Sequence, residues 1–216
     1  KRNDDIHLHP DTWVVWASNH PKNKAGTNRV PSQIFNRCTM LALSYSLDAQ
    51  VKYMLADPEM DLLTMRFMRM KGETCMSFDP TLMVNPTPRQ WSWVGRKLFI
   101  NPNAPTAVVA GRIGKGLASE LFAFRDIAPT LPSIDEILLD PKKARVPENV
   151  SAQFLITDML ADRSNVTSFD TLVTYAKRLP SEFQGKFCKD SYQRAPEIAT
   201  LKSFTEWGVK FAEVFT

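Results

Sequence analysis

Apolar and polar positions divide the chain into a short first part with strand character and a long second part with helical character. Residues 11–18 form an apolar run rich in β-branched and aromatic side chains, the pattern of a strand buried on both faces of a parallel sheet. Residues 38–45 predict a second buried strand. Between the two runs, a polar loop leads into a short helix predicted over 31–37.

From Ser46 onward, apolar positions recur at helical spacing and strand signals nearly vanish. Ser46 is a predicted N-cap, and Asp57-Pro58 ends the helix that it begins. Thr87-Pro88 starts a helix that runs to about Phe99. Residues 180–195 are predicted to be irregular. The other predicted helices cover 59–71, 106–126, 133–139, 150–163, 168–179 and 196–215.

Composition narrows the class of protein. The chain has 216 residues and a net charge of +4, from 27 Lys and Arg against 23 Asp and Glu, which is too small an excess to indicate nucleic-acid binding. Three widely spaced cysteines rule out a disulfide framework or a clustered Cys metal site and favour the cytoplasm. No apolar run approaches the roughly 18 residues of a membrane span, so no membrane partner is expected. The polar opening without an initiator Met indicates a piece of a longer protein, or a chain whose first residues are missing.

The segment 13–37 places an amide and a guanidinium where phosphate chemistry uses them. Asn19 follows the first predicted strand, and open α/β sheets bind ligands at the carboxyl ends of their strands. There it can orient an attacking water or a phosphate oxygen. Arg37 ends the short helix and can stabilise the γ-phosphate of a neighbouring subunit. The structural alternatives are a turn Asn before Pro21 and a helix C-terminal cation.

A third candidate is Arg89 in Thr87-Pro88-Arg89. Proline fixes the first helical turn, and the positive end of the helix and the guanidinium both favour an anion there. The alternative is a solvated first-turn residue. The stretch 111–116 is glycine-rich, but it lacks the spacing and the hydroxyl of a Walker A loop and lies in a predicted helix. His7 and His9 alternate without a convincing third ligand, so no metal site is predicted.

These motifs together resemble the MoxR branch of the AAA+ ATPases, close to its dynein-related relatives, over roughly residues 6–125. The family shows a strand ending in Asn-Pro, a glycine loop, Leu-Pro, a helix closing in Asp-Arg-Phe, and a Ser-Pro-Arg start to the third lid helix. The counterparts here are Asn19-His20-Pro21, Gly26, Val30-Pro31, Asn36-Arg37-Cys38 and Thr87-Pro88-Arg89. The resemblance implies that Asn19 is sensor 1, Arg37 the arginine finger and Arg89 sensor 2.

The resemblance also implies a mainly α fold with three parts. Residues 1–46 are expected to hold the last two strands of an AAA+ α/β core, 47–127 a helical lid, and 128–216 a helical extension. ATP and Mg²⁺ are the implied cofactors, and both require an upstream half, because no Walker A or Walker B motif occurs in the chain. The implied enzyme is a homo-oligomeric ring, usually hexameric, that remodels or assembles a protein client such as a von Willebrand A domain protein. The chain alone is expected to be inactive.

A rival hypothesis from another class remains open. In it, residues 46–216 form a non-catalytic helical interaction module that binds a protein partner, and the sensor motifs are relics. An aromatic stripe near the carboxyl terminus fits either a core or a docking surface. Its members are Phe204, Trp207, Phe211 and Phe215.

Overall fold

A computed structural model describes residues 9–18 and 32–212, and these residues are mainly helical. The chain divides into two compact units. The first contains the residues up to Ser44 together with Pro80–Met83, and the second contains Tyr45–Asp79 and the residues from Val84 onward. The helical character predicted for the chain after Ser46 is confirmed.

In the first unit, the described residues form one short helix, α1 (Ser32–Phe35), and no strand. Residues 11–18 and 38–45, which the sequence predicts as buried strands, are irregular and expose apolar side chains: Trp13 is 91% exposed and Leu43 is 96% exposed. A strand persists only beside another strand, because its N–H and C=O groups need ladder partners. The described residues supply no such partner, so the two predicted strands are not formed among them.

The second unit consists of helices joined by short loops. Among the described residues the longest helix has 14 residues and spans about 21 Å, and none is long and apolar enough to cross a membrane. Short 3-10 segments cover Gly72–Met76, Ala128–Thr130 and Pro196–Thr200. The α-helices are α2 (Leu47–Leu55), α3 (Leu62–Lys71), α4 (Pro88–Ile100), α5 (Thr106–Ile113), α6 (Lys115–Ile127), α7 (Ile134–Leu139), α8 (Val150–Asp162), α9 (Phe169–Ala176), α10 (Ser181–Arg194) and α11 (Lys202–Lys210).

Side-chain caps fix the starts of the early helices. The Ser46 hydroxyl accepts a hydrogen bond from the N–H of Ala49 at 3.2 Å, which confirms it as the N-cap of α2. α3 begins later than the predicted residue 59, because Asp61 is its cap: the carboxylate accepts from the N–H and the hydroxyl of Thr64, both at 2.7 Å. Each such cap stabilises a helix by about 1 kcal/mol.

Helices α2 to α6 enclose an apolar cluster that also receives Leu155 from α8. The rings of Phe67 and Trp91 meet at 6.0 Å between centroids, and those of Phe67 and Phe124 at 5.7 Å. We term it the methionine-rich cluster. Its buried members are Val51, Met54, Met60, Met65, Phe67, Met68, Cys75, Met76, Trp91, Val94, Leu98, Ala104, Val109, Ile113, Ala118, Leu121, Phe124 and Leu155.

A second cluster, termed the aromatic cluster, is built from α7 to α11. Trp207 of α11 and Phe211, which directly follows α11, are buried in it, and the Phe204 ring lies 5.9 Å from that of Phe169. The core interpretation of the aromatic stripe is therefore confirmed for these three residues, while Phe215 lies outside the described residues. The largest buried members are Phe169, Tyr175, Phe183, Phe187, Trp207 and Phe211.

Two predictions near the carboxyl terminus are wrong. Residues 180–195 form the regular helix α10 instead of irregular chain. Its buried face includes Gln184, Gly185 and Ser191, so the apolar period that would predict a helix is weak. The single helix predicted over 196–215 is, in its described part, a 3-10 segment followed by the shorter α11.

The helix predicted over 106–126 is interrupted at Gly114, where α5 ends and α6 begins. Gly114 has φ 86° and ψ 154°, a backbone conformation that is essentially restricted to glycine. The glycine-rich stretch 111–116 is therefore a helix junction.

Replacing Gly114 with Ala is expected to lower the free energy of unfolding by about 1–3 kcal/mol, because a Cβ strains this backbone. Gly111→Ala is the matched control: its added Cβ also meets open space, but its backbone φ is not positive, so the change gains up to about 1 kcal/mol of helix propensity. Urea unfolding of the 216-residue chain measures both variants. Equal shifts for the two would contradict the assigned strain.

Candidate functional site

The structure describes two of the three predicted site residues, and each belongs to a different compact unit. Arg37, in the first unit, is exposed in the turn after α1, where its N–H donates to the carbonyl of Ile34 at 3.0 Å. Arg89, in the second unit, is exposed and is the second residue of α4. Asn19 lies outside the described residues.

The first turn of α4 forms as the sequence predicts. Thr87 is the N-cap with φ −74° and ψ 162°, and its carbonyl accepts from the N–H groups of Gln90 at 2.9 Å and Trp91 at 3.1 Å. Pro88 follows at the first helical position, where its missing N–H breaks no helical bond and its fixed φ suits the helix. Arg89 therefore stands at the positive end of the α4 dipole.

Two buried side chains hold this turn in place. Gln50 of α2, which is 9% exposed, donates from Nε2 to the carbonyl of Pro88 at 3.2 Å and to the hydroxyl of Ser92 at 2.9 Å. Trp91 is fully buried and donates from Nε1 to the carbonyl of Cys75 at 2.8 Å. Leaving a buried donor without its acceptor costs about 1–3 kcal/mol. These hydrogen bonds thus fix the helical turn that contains Arg89 to α2 and to the 3-10 segment that contains Cys75.

Arg112, near the end of α5, packs against α4 beside this turn. Its guanidinium carbon lies 4.4 Å from the centroid of the Trp93 ring, and its Nη1 donates to Oε1 of Gln90 at 3.4 Å. Stacking on an indole stabilises an exposed guanidinium by about 0.5–1 kcal/mol and orients its plane. No local sequence pattern signals this contact, because α4 and α5 meet only in the folded chain.

A buried charge network joins α3, α8 and α10, and no pattern in the sequence predicts it. The Asp158 side chain is fully buried and accepts from Arg66 Nε at 3.0 Å, Arg69 Nη1 at 3.4 Å and Arg194 Nη2 at 2.5 Å. Arg66 and Arg194 also bind Asp162. Burial alone would raise the pKa of Asp158, but the guanidinium charges of Arg194, Arg69 and Arg66 outweigh it and hold that pKa below its ordinary value. Because its oxygens accept from three arginines and its pKa is low, the Asp158 carboxylate has a structural role and does not act as a general base.

The buried cysteines do not provide a nucleophile. Cys75 and Cys188 have no exposed surface. Burial raises the pKa of the Cys75 thiol to about 12 and that of Cys188 to about 11. Because the thiolate is the reactive form, both thiols are inert at neutral pH. Among residues 9–18 and 32–212, no group of three His, Cys, Asp or Glu side chains could hold a metal ion.

The arrangement around α4 suits the recognition of an anion. Arg89 presents a planar, permanently charged donor on a turn fixed from below, which matches the oxygens of a phosphate group. The N–H donors of Arg89 are of the kind that phosphate oxygens accept from. The residues of this turn offer no carboxylate for Mg²⁺, which prefers oxygen ligands.

Comparison with known proteins adds no family to this description. No family model, no curated protein and no solved structure matches the chain.

Proposed function

We propose that this chain is part of a MoxR-like AAA+ ATPase that couples ATP hydrolysis to the remodelling or assembly of a protein partner. In this proposal, residues 1–46 end the α/β core, 47–127 form the lid and 128–216 form a helical extension. The support is the order of Asn19, Arg37 and Arg89 along the sequence, followed by a mainly helical chain after Ser46.

Each site residue has one role in this proposal. Mg-ATP binds at a subunit interface of a ring, usually a hexamer, and water attacks the γ-phosphate. Asn19 orients that water, Arg89 contacts the phosphates of its own subunit, and Arg37 stabilises the charge on the neighbour's γ-phosphate. The phosphate loop and the Mg²⁺-binding carboxylate come from outside these 216 residues. The client is a protein such as a von Willebrand A domain protein, in the cytoplasm.

The upstream half would also explain the exposed apolar segments of the first unit. Residues 11–18 and 38–45 expose Trp13 and Leu43 almost fully. Apolar runs of this length are costly in water, since burial of such side chains stabilises by about 1.5–3 kcal/mol each. In the proposal, both segments become strands when the rest of a parallel core supplies their ladder partners.

The observation that carries the proposal is the setting of Arg89. An exposed guanidinium stands at the second position of a helix that begins with proline, on a turn held by Gln50 and Trp91. The fixed turn keeps the backbone of Arg89 in place, which suits a residue whose donors must keep their geometry while the nucleotide changes.

The test of this proposal is Arg89→Ala in the complete protein. We expect Mg-ATP affinity to fall about tenfold or more and turnover to fall with it, because a hydrogen bond to a charged group contributes about 1.5–3 kcal/mol. Isothermal titration calorimetry and phosphate release measure the two quantities. Lys52→Ala is the control, since Lys52 is an exposed cation of α2 that pairs with Asp48 at 2.8 Å. Affinity unchanged by Arg89→Ala would reject the sensor role.

The coding sequence just before Lys1 separates this proposal from the non-catalytic module. A Walker A and Walker B pair upstream is the expected result, because phosphoryl transfer depends on both. A start codon directly before Lys1 would favour the interaction module.

A further inference from the structure

The chain segment that contains Arg89 and Arg112 carries cations and no acidic residue. No Asp or Glu occurs between Asp79 and Glu120, a stretch that contains all of α4 and α5. Arg96 in this stretch is paired with Asp57 from outside it. Arg89 and Arg112 have no ion pair within the described part of the chain. The cations of the stretch are Arg89, Arg96, Lys97, Arg112 and Lys115.

Acidic side chains on the elements next to this segment already have partners. Asp48 at the start of α2 binds Lys52 at 2.8 Å. Glu73 in the 3-10 segment accepts a hydrogen bond from the N–H of Leu47 at 2.8 Å. Because no carboxylate of the described residues pairs with Arg89 or Arg112, both charges can bind an external anion.

Contacts with α4 place Arg112 beside the turn that contains Arg89. Arg89 and Trp93 are four residues apart on α4, so they share one face and lie about 6 Å apart along the axis. Helical side chains lean toward the N-terminus, which directs the Trp93 ring toward the turn of Arg89. Arg112 stacks on that ring at 4.4 Å and reaches Gln90. The Arg112 guanidinium therefore lies against the first turn of α4, which contains Arg89.

We propose that Arg112 is a second phosphate-binding residue, which contacts the triphosphate of the nucleotide that Arg89 senses. This inference rests on the proposed function. A guanidinium has five N–H donors, and the contact with Gln90 Oε1 uses only Nη1, so donors remain for phosphate oxygens. The stack on Trp93 orients the group before the ligand arrives, which lowers the entropy lost on binding.

Arg112→Gln in the complete protein tests the inference. We expect the affinity for Mg-ATP to fall about tenfold, as for the loss of one charged hydrogen bond. The affinity for inorganic tripolyphosphate should fall by the same factor, because the contact is to phosphates and not to the base or sugar. Arg112→Lys keeps the charge and loses the planar stack, so it should show an intermediate loss. Isothermal titration calorimetry at one ionic strength measures all variants.

Lys97→Gln is the matched control, because it removes the same charge from the same acid-free stretch near the other end of α4. It is expected to change either affinity less than about twofold, since solvent and salt screen a distant charge. Equal losses of affinity for Arg112→Gln and Lys97→Gln would show that only the net positive charge matters, and would overturn the inference. A loss for Mg-ATP without one for tripolyphosphate would also overturn it.

The Arg89→Ala variant keeps the two proposals distinguishable. If Arg89→Ala weakens nucleotide binding and Arg112→Gln does not, the second phosphate contact is rejected and the proposed function stands. If neither variant weakens binding, both are rejected.

Discussion

Replacing Arg37 with Ala in the proposed ATPase is expected to lower ATP turnover by about 10³-fold or more, the smaller end of the range for arginine fingers. The nucleotide affinity should stay within a few-fold of the wild type, because each subunit keeps its own phosphate-binding pocket. The exposed position of Arg37 in the turn after α1 leaves its side chain accessible to a neighbouring molecule. Phosphate release and nucleotide titration measure the two quantities.

Mixed rings provide the control for Arg37. Subunits with Arg37→Ala are co-assembled with subunits whose Walker B carboxylate is removed. Activity should partly return, because some interfaces then combine an intact pocket with an intact arginine. Mixed rings that stay inactive, although each variant assembles, would show that Arg37 does not act across the interface.

Replacing Asp158 with Asn is expected to lower the free energy of unfolding by about 3–5 kcal/mol at neutral pH. The change removes the one carboxylate that Arg66, Arg69 and Arg194 all contact, and Asp162 remains to face the uncompensated charges. Breaking a buried ion pair from one side costs this much because the other side stays buried and charged. Urea unfolding of the 216-residue chain measures the change.

Asp48→Asn is the matched control for Asp158→Asn. It breaks an exposed pair with Lys52 within α2, which is worth about 0.3–0.5 kcal/mol. A loss at Asp158 no larger than the loss at Asp48 would contradict the role of the buried network.

Acidification should reduce the difference in free energy of unfolding between the wild type and Asp158→Asn. The pKa of Asp158 in the native state lies below its ordinary value of 3.8, because the arginine charges outweigh the effect of burial. Its stabilising contribution is therefore complete above the pKa of the unfolded chain and is lost as the pH falls through the native pKa. If the difference in unfolding free energy stays constant or increases below about pH 4, the charged Asp158 carboxylate is not the source of the stabilisation.

Helix starts could be predicted from the sequence because a cap acts within one turn. Thr87-Pro88 predicted a helix ending near Phe99, and the structure has α4 from Pro88 to Ile100. Ser46 was predictable as a cap for the same reason. By contrast, the apolar run 11–18 predicted a strand, but a strand also depends on a partner that no local pattern specifies.

At the candidate site, too, features set by neighbouring residues could be predicted, and contacts between residues far apart in the sequence could not. The position of Arg89 in the first turn of α4 could be predicted, whereas the support from Gln50 comes from 38 residues away. The partners of Asp158 are 36, 89 and 92 residues distant. Charged residues at such separations carry no periodic signal, and each one taken alone looks like a solvated surface residue.

The rate of methionine oxidation can measure local unfolding of the helices that enclose the methionine-rich cluster. Met54, Met65 and Met68 in the methionine-rich cluster are at most 2% exposed, whereas Met83 is fully exposed. A sulfoxide is polar and cannot be accommodated in an apolar core, and a buried sulfur reacts with peroxide only when the surrounding structure opens. The rate at which the buried methionines gain oxygen, relative to Met83, therefore measures how often this part of the protein unfolds locally.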